Sequence, residues 1–158
     1  EVVAVDVGYG QLAWELRQDP RVQILDRTNV RNLTLEHIGE AAELVVADLS
    51  FISLTLVLPA LVAVTTSDAD FLVMVKPQFE VGREKLGAGG VVRDPALRLG
   101  AIEEVARGAW EVGLGVAGVT ASPLPGPSGN VEYFLWLNRS GAQLTREVAE
   151  AAIAQGPQ

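Results

Sequence analysis

Short apolar runs that stop at a charged residue recur along this chain. Val2-Val3-Ala4-Val5 ends at Asp6, Leu44-Val45-Val46-Ala47 at Asp48, and Phe71-Leu72-Val73-Met74-Val75 at Lys76. Continuous runs of this length predict buried parallel strands rather than half-exposed alternating ones. Arg21 to Leu25 predicts another short strand, and Gly115 to Thr120 and Val131 to Leu137 predict two late ones. Between them apolar positions return at helical spacing. This holds for Leu12, Trp14 and Leu16, then for Leu54 to Val64, where Pro59 kinks the helix or marks its start. It holds again for Ala96 to Val112, through Leu97, Ile102, Val105, Ala106 and Ala109. The stretch from Gly141 to Gln158 carries Leu144, Val148, Ala151 and Ala152 at the same spacing and predicts a solvated terminal helix. Strands alternating with helices indicate an α/β fold with right-handed crossovers.

The last two strands are the exception. Ser122 to Asn130, between them, is rich in proline, glycine and serine and too short for a helical crossover, so the pair should close as an antiparallel hairpin. An open parallel sheet finished this way is expected of Rossmann-like class I methyltransferases rather than of the common dinucleotide-binding dehydrogenases, a choice the pattern alone leaves open. With 158 residues, of which 49% are hydrophobic, the chain suits one compact domain with a real core. Cysteine is absent, and no charged-then-apolar leader or bilayer-length apolar run is seen, which leads to the expectation of a cytoplasmic protein away from membranes. The formal net charge of -8 argues against these residues alone gripping a phosphate backbone. If RNA is the substrate, another segment must hold it.

Charge at strand ends changes the picture most. Ligands of open α/β sheets bind at the carboxyl ends of parallel strands, so Asp6, Asp48 and Lys76 should face one crevice. An antiparallel last strand brings its beginning to the same edge, with Asn130 and Glu132. By alternation Glu132 shares a face with Phe134 and Trp136, where a carboxylate needs a cation or ligand. One such charge is as readily explained by reaching water; four on one edge weaken that explanation. Asp48, Lys76 and Glu132 are therefore assigned to chemistry. Asp6 is assigned to the ribose hydroxyls of a nucleotide cofactor, with N-capping of a helix near Tyr9 or Gly10 as the alternative. Gly8-Tyr9-Gly10 lacks the third glycine of a dinucleotide fingerprint and reads as a turn. Pro77 to Pro95, glycine-rich and carrying Arg83, Lys85 and Arg93, reads either as a flexible basic lid beside Lys76 or as an ordinary solvated loop. His37 is placed on the surface, and Trp14, Trp110 and Met74 in the packing. Without cysteines or spaced histidines no metal site is expected.

These residues also form strings that closely resemble one family. They are Val5 to Leu12, Asp26 to Asn29, Asp48 to Leu54, Val75 to Glu80, Gly89 to Pro95, and Pro125 to Glu132. Together they resemble the TlyA family (haemolysin A, FtsJ-like) of ribosomal RNA methyltransferases, over nearly the whole chain to about Leu137. The resemblance implies methyl transfer from S-adenosylmethionine to the 2′-hydroxyl of a cytidine in ribosomal RNA or ribosomal subunits. It implies a Lys-Asp-Lys-Glu tetrad whose last three members match Asp48, Lys76 and Glu132, with Asn29 beside the adenine and Asp48 also lining the cofactor side. Residues 1–140 then form a partial methyltransferase domain and 141–158 a tail. The family's first strand, its glycine-rich cofactor loop, the first tetrad lysine and an N-terminal S4 RNA-binding domain have no counterpart here. That strand would lie between those ending at Asp6 and Asp48, so two apolar edges should be unpaired and the fragment alone poorly stable or inactive. Rival readings are a nicotinamide-dependent oxidoreductase, which the closing hairpin counts against, a membrane-active haemolysin and a noncatalytic module.

Overall fold

The strands of this chain fall into two sheets rather than one. A computed structural model describes residues 1–157; Gln158, the last residue of the predicted tail, lies outside them. In the smaller sheet β1 (Val2–Val5) runs parallel to β2 (Val22–Leu25). The larger has the order β3-β4-β6-β5, formed by β3 (Ala42–Ala47), β4 (Thr65–Val75), β5 (Gly115–Ala121) and β6 (Tyr133–Asn138). There β3 is parallel to β4, while β6 is antiparallel to both β4 and β5. The predicted closing hairpin is present, with β6 between β4 and β5. No pairing joins β1 to β3 among the described residues, in keeping with the two unpaired edges inferred from the resemblance.

Alternation along β4 and β6 sorts one face of the larger sheet into the core. Phe71, Val73, Val75, Tyr133, Leu135 and Leu137 are all fully buried. Against them pack α3 (Leu58–Ala63), α5 (Pro95–Glu111) and α6 (Arg146–Gln155), through Leu58, Ile102, Val105, Ala109, Ala149 and Ile153. Asp94 starts α5 by accepting a hydrogen bond from the Ala96 amide at 2.8 Å, and Pro95 occupies the first turn, where its missing N–H costs nothing. Pro59 likewise marks the start of α3, after a separate 3-10 turn at Leu54–Leu56.

The opposite face departs from prediction. Val46, Leu72 and Trp136 sit side by side across β3, β4 and β6, and Val46 is 69% exposed. The strand runs were read as buried, but α3, α5 and α6 all join the core on the other face. The helix predicted around Leu12 to Leu16 is a single turn, α1 (Trp14–Arg17), which leaves Trp14 70% exposed, and Trp110 is also exposed; neither packs as expected. The tail is corrected too. Its helix is not merely solvated: Ala149, Ala152 and Ile153 are buried, whereas Val148 is exposed, a face rotated by about one residue from the predicted one. The small sheet rests on Leu33, Ile38 and Val64, with Ile38 ending the one-turn helix α2 (Leu35–Ile38), and Val30 packs against both cores.

Nor is 77–95 a free loop. It contains α4 (Pro77–Glu80) and 3-10 turns at Arg83–Lys85 and Ala88–Gly90, and Val91 and Val92 are buried. The Asn130 amide donates to the Gly90 carbonyl at 3.0 Å and accepts from the Val92 N–H at 2.9 Å, while Arg98 Nε donates to the Val92 carbonyl at 3.0 Å. Arg83, Lys85 and Arg93 remain exposed.

Candidate active site

Strand register gathers three of the five predicted site residues. Val75 of β4 lies opposite Tyr133 of β6, and one further step of that antiparallel register faces Lys76 with Glu132. Asp48 leaves the parallel neighbour β3 one residue after Ala47, which pairs with Val73. Lys76 Nζ stands 2.6 Å from Asp48 Oδ1 and 3.9 Å from Glu132 Oε1, and donates to Ser50 Oγ at 3.4 Å. The environment is graded: the Glu132 and Lys76 side chains are 8% and 11% exposed, the Asp48 side chain 63%. The ammonium is thus held closely by the exposed carboxylate, with the buried one behind it at ion-pair distance.

A buried carboxylate needs partners. Glu132 Oε1 accepts from Gln78 Nε2 at 3.2 Å and pairs ionically with Lys76 at 3.9 Å. Space for it depends on Gly126, where a Cβ would come within 2.7 Å of Glu132 Oε1. The same loop turns through Gly129 at φ +86°, closed by hydrogen bonds from Gly126 N–H to the Asn130 carbonyl and from Gly129 N–H to the Gly126 carbonyl, both 2.8 Å.

Several neighbours stood in the family-like strings without being given a role. Ser50 and Gln78 each lie two residues beyond a strand-ending charge, which was the available signal. Phe51 is 90% exposed at φ +64°, a left-handed conformation that costs a bulky residue about 1–3 kcal/mol, and its ring lies 5.0 Å from that of Phe79. Glu80 accepts from Ser53 Oγ at 2.5 Å and from the Leu54 N–H at 2.9 Å. Burial pushes its carboxyl above the ordinary 4.5; those two hydrogen bonds pull the other way and the Glu104 charge adds to the rise.

Asp6 and Asn29 stand apart, on the small sheet. Asp6 is exposed at the end of β1, where Oδ1 accepts from the Gly8 N–H at 2.7 Å. It caps no helix, since α1 begins after Ala13. Hydrogen bonds from Thr28 N–H to the Asp6 carbonyl, 2.9 Å, and from Arg27 N–H to the Gly8 carbonyl, 2.8 Å, lash the loops after β1 and β2 together. Asn29 Oδ1 accepts from the Arg31 N–H at 3.0 Å and starts the turn Val30–Asn32. Among the described residues, Asp6 Oδ2 and Asn29 Nδ2 make no hydrogen bond, and neither side chain hydrogen-bonds or ion-pairs with the Asp48–Lys76–Glu132 cluster. An open carboxylate oxygen and an open amide suit the hydroxyls and ring nitrogens of a nucleoside. His37 is exposed, and its Nδ1 accepts from the Thr34 N–H at 3.1 Å in the cap of α2.

The family model described as FtsJ-like methyltransferase matches residues 1–139. The 16S/23S rRNA (cytidine-2'-O)-methyltransferase TlyA of Mycobacterium tuberculosis is 59% identical over 161 residues, 99% of this chain and 60% of that protein. Hemolysin A of Brachyspira hyodysenteriae is 33% identical, covering 84% of this chain and 56% of its own length. A solved structure from Streptococcus thermophilus, provisionally named a hemolysin, superposes with a TM-score of 0.90 at 36% identity over 97% of this chain and 56% of that one. The chain therefore spans about 60% or less of these relatives.

Proposed function

Because the chain belongs to the FtsJ-like methyltransferase family, we propose that the protein carrying it transfers a methyl group from S-adenosylmethionine to the 2′-hydroxyl of a cytidine in ribosomal RNA. The observation that supports this reading best is Lys76 Nζ held between Asp48 and Glu132 where β3, β4 and β6 meet. A ribose hydroxyl is a poor nucleophile at neutral pH. A fixed ammonium beside it would orient the oxygen and stabilise the negative charge that develops as its proton passes to solvent, the methyl transfer leaving S-adenosylhomocysteine. Glu132, buried and held by Gln78, fixes the amine from behind, and Asp48 fixes it from the solvent side. Since these groups are set before the substrate arrives, little reorganisation is needed during reaction.

Asp6 and Asn29 would hold the adenosine of S-adenosylmethionine, which when bound supplies an electrophilic sulfonium methyl. The exposed Phe51 ring, backed by Phe79 beside the cluster, offers a face on which the target base can stack. With a net charge of -8, the chain is assigned the chemistry rather than the grip on RNA, which an S4 RNA-binding domain elsewhere in the protein would supply. A ribosomal substrate puts the activity in the cytoplasm. Among the described residues no helix is long and apolar enough to cross a membrane, and nothing in the site favours the haemolysin reading.

The test is transfer of labelled methyl groups to ribosomal RNA by the protein that carries this chain. Lys76→Ala should lower kcat on the order of 10²–10³-fold while S-adenosylhomocysteine still binds. Turnover retained by the variant would defeat the assignment of Lys76, and no transfer by the unaltered protein would favour a noncatalytic role.

A further inference from the structure

Three consecutive residues of α4 reach the cluster or the segment that follows Asp48. Gln78 donates to Glu132 at 3.2 Å, the Phe79 ring lies 5.0 Å from Phe51, and Glu80 accepts from Ser53 and Leu54 at 2.5 and 2.9 Å. The turn that presents them is closed directly after Lys76, by hydrogen bonds from Phe79 N–H to the Lys76 carbonyl at 2.9 Å and from Val81 N–H to the Pro77 carbonyl at 3.1 Å. The segment from Asp48 to Leu54 needs such an anchor. It leaves an edge strand, places Asp48 in solvent contact, and carries Phe51 in a left-handed conformation that nothing in its own sequence favours.

We infer that Glu80 is a positioning residue: its carboxylate clamps the β3–α3 connection onto α4 and so sets Asp48 and Phe51 against Lys76. The inference rests on the methyl-transfer reading for its catalytic consequence, though not for its geometry. Both oxygens are used, one on the Ser53 hydroxyl and one on the Leu54 amide, so the connection is fixed at its far end while Lys76 meets Asp48 at its near end. Loss of the clamp leaves all three members of the cluster in place chemically but releases the distance between two of them. Glutamine retains an acceptor for the Leu54 amide and offers its own N–H to Ser53 Oγ; alanine retains neither.

The experiment compares Glu80→Ala and Glu80→Gln in the protein that carries this chain, reading kcat and KM for ribosomal RNA, S-adenosylhomocysteine affinity, and the side-chain nitrogen resonance of Lys76. That resonance is assigned by its loss in Lys76→Arg, and Lys85 is assigned the same way as the exposed reference. Glu80→Ala should cut kcat on the order of 100-fold, the scale set by misplacing a reacting group by about an ångström, with KM and cofactor affinity within about threefold. The Lys76 resonance should move toward that of exposed Lys85. Glu80→Gln should recover kcat to within about tenfold of the unaltered protein. If the alanine variant fails to fold, Ser53→Ala, which removes one of the two hydrogen bonds, should show the same changes at smaller size. Unchanged kcat and an unmoved Lys76 resonance would overturn the clamp, as would equal losses in the glutamine and alanine variants. Should the unaltered protein transfer no methyl, the functional reading fails by itself and the Lys76 resonance alone decides the clamp.

Discussion

The strand ends at Lys76 and at Asp6 were drawn by the same sequence device, yet they are supported very differently. Lys76 emerges from β4, flanked by β3 and β6 over a fully buried face, and its partner Glu132 is itself buried and hydrogen-bonded. Asp6 emerges from a two-stranded sheet none of whose strand residues is buried, and among the described residues its carboxylate bonds only the nearby Gly8 amide. A two-stranded sheet is marginal by itself, whereas a four-stranded one with helices across a face supplies its own stability. Groups that must be aligned to within fractions of an ångström thus stand on the rigid part. The groups expected to hold the nucleoside stand on the part that leans, through Val30, on its neighbour.

That contrast can be broken most forcefully by paired core truncations. Leu135→Ala on β6 should destabilise by about 4 kcal/mol, against about 2 kcal/mol or less for Leu25→Ala on half-buried β2, read from urea unfolding. Equal costs would show that the small sheet is as deeply integrated as the large one. Next in size, Asp6→Ala should weaken S-adenosylhomocysteine binding about tenfold by calorimetry, close to 1.4 kcal/mol, and leave the Lys76 resonance unmoved. A shift there would mean the two regions are coupled. Comparable in size, Gly126→Ala should reduce kcat about tenfold, because its methyl group would displace Glu132 Oε1.

The smallest effect concerns Glu80. Burial, assisted by the Glu104 charge on α5, raises its folded-state value above the ordinary 4.5, so folding favours the protonated form. Its contribution to stability is complete below the unfolded value and is lost as pH rises through the raised folded value. Relative to the unaltered protein, Glu80→Gln should therefore gain Tm on going from acidic to neutral pH, even as its turnover falls. A stability difference independent of pH would place the carboxyl in a less buried setting.

Much of this was legible because it is local. The runs ending at Asp48 and Lys76 and the proline and glycine of 122–130 each encode a backbone preference within a few residues. From them the sheet type, the closing hairpin and the juxtaposition of Asp48, Lys76 and Glu132 follow through register. The packing expected of Trp14 and Trp110, the solvated tail and the buried β3 did not hold. Each depended on which helix covers which face, a choice that no short window contains.

By itself the sequence determined the alternation of strands and helices, the strand ends where charges collect, and the strings that mark the family, since these rest on period, propensity and residue identity. Only the tertiary structure decided that Gln78 and Glu80 turn back onto Glu132 and Ser53, that Phe51 is held at positive φ, and that Val46, Leu72 and Trp136 form an open row. Those outcomes join residues as many as 64 positions apart, such as Leu72 and Trp136. They are fixed by packing and by the need of buried polar groups for partners, terms that exist only once the chain has folded.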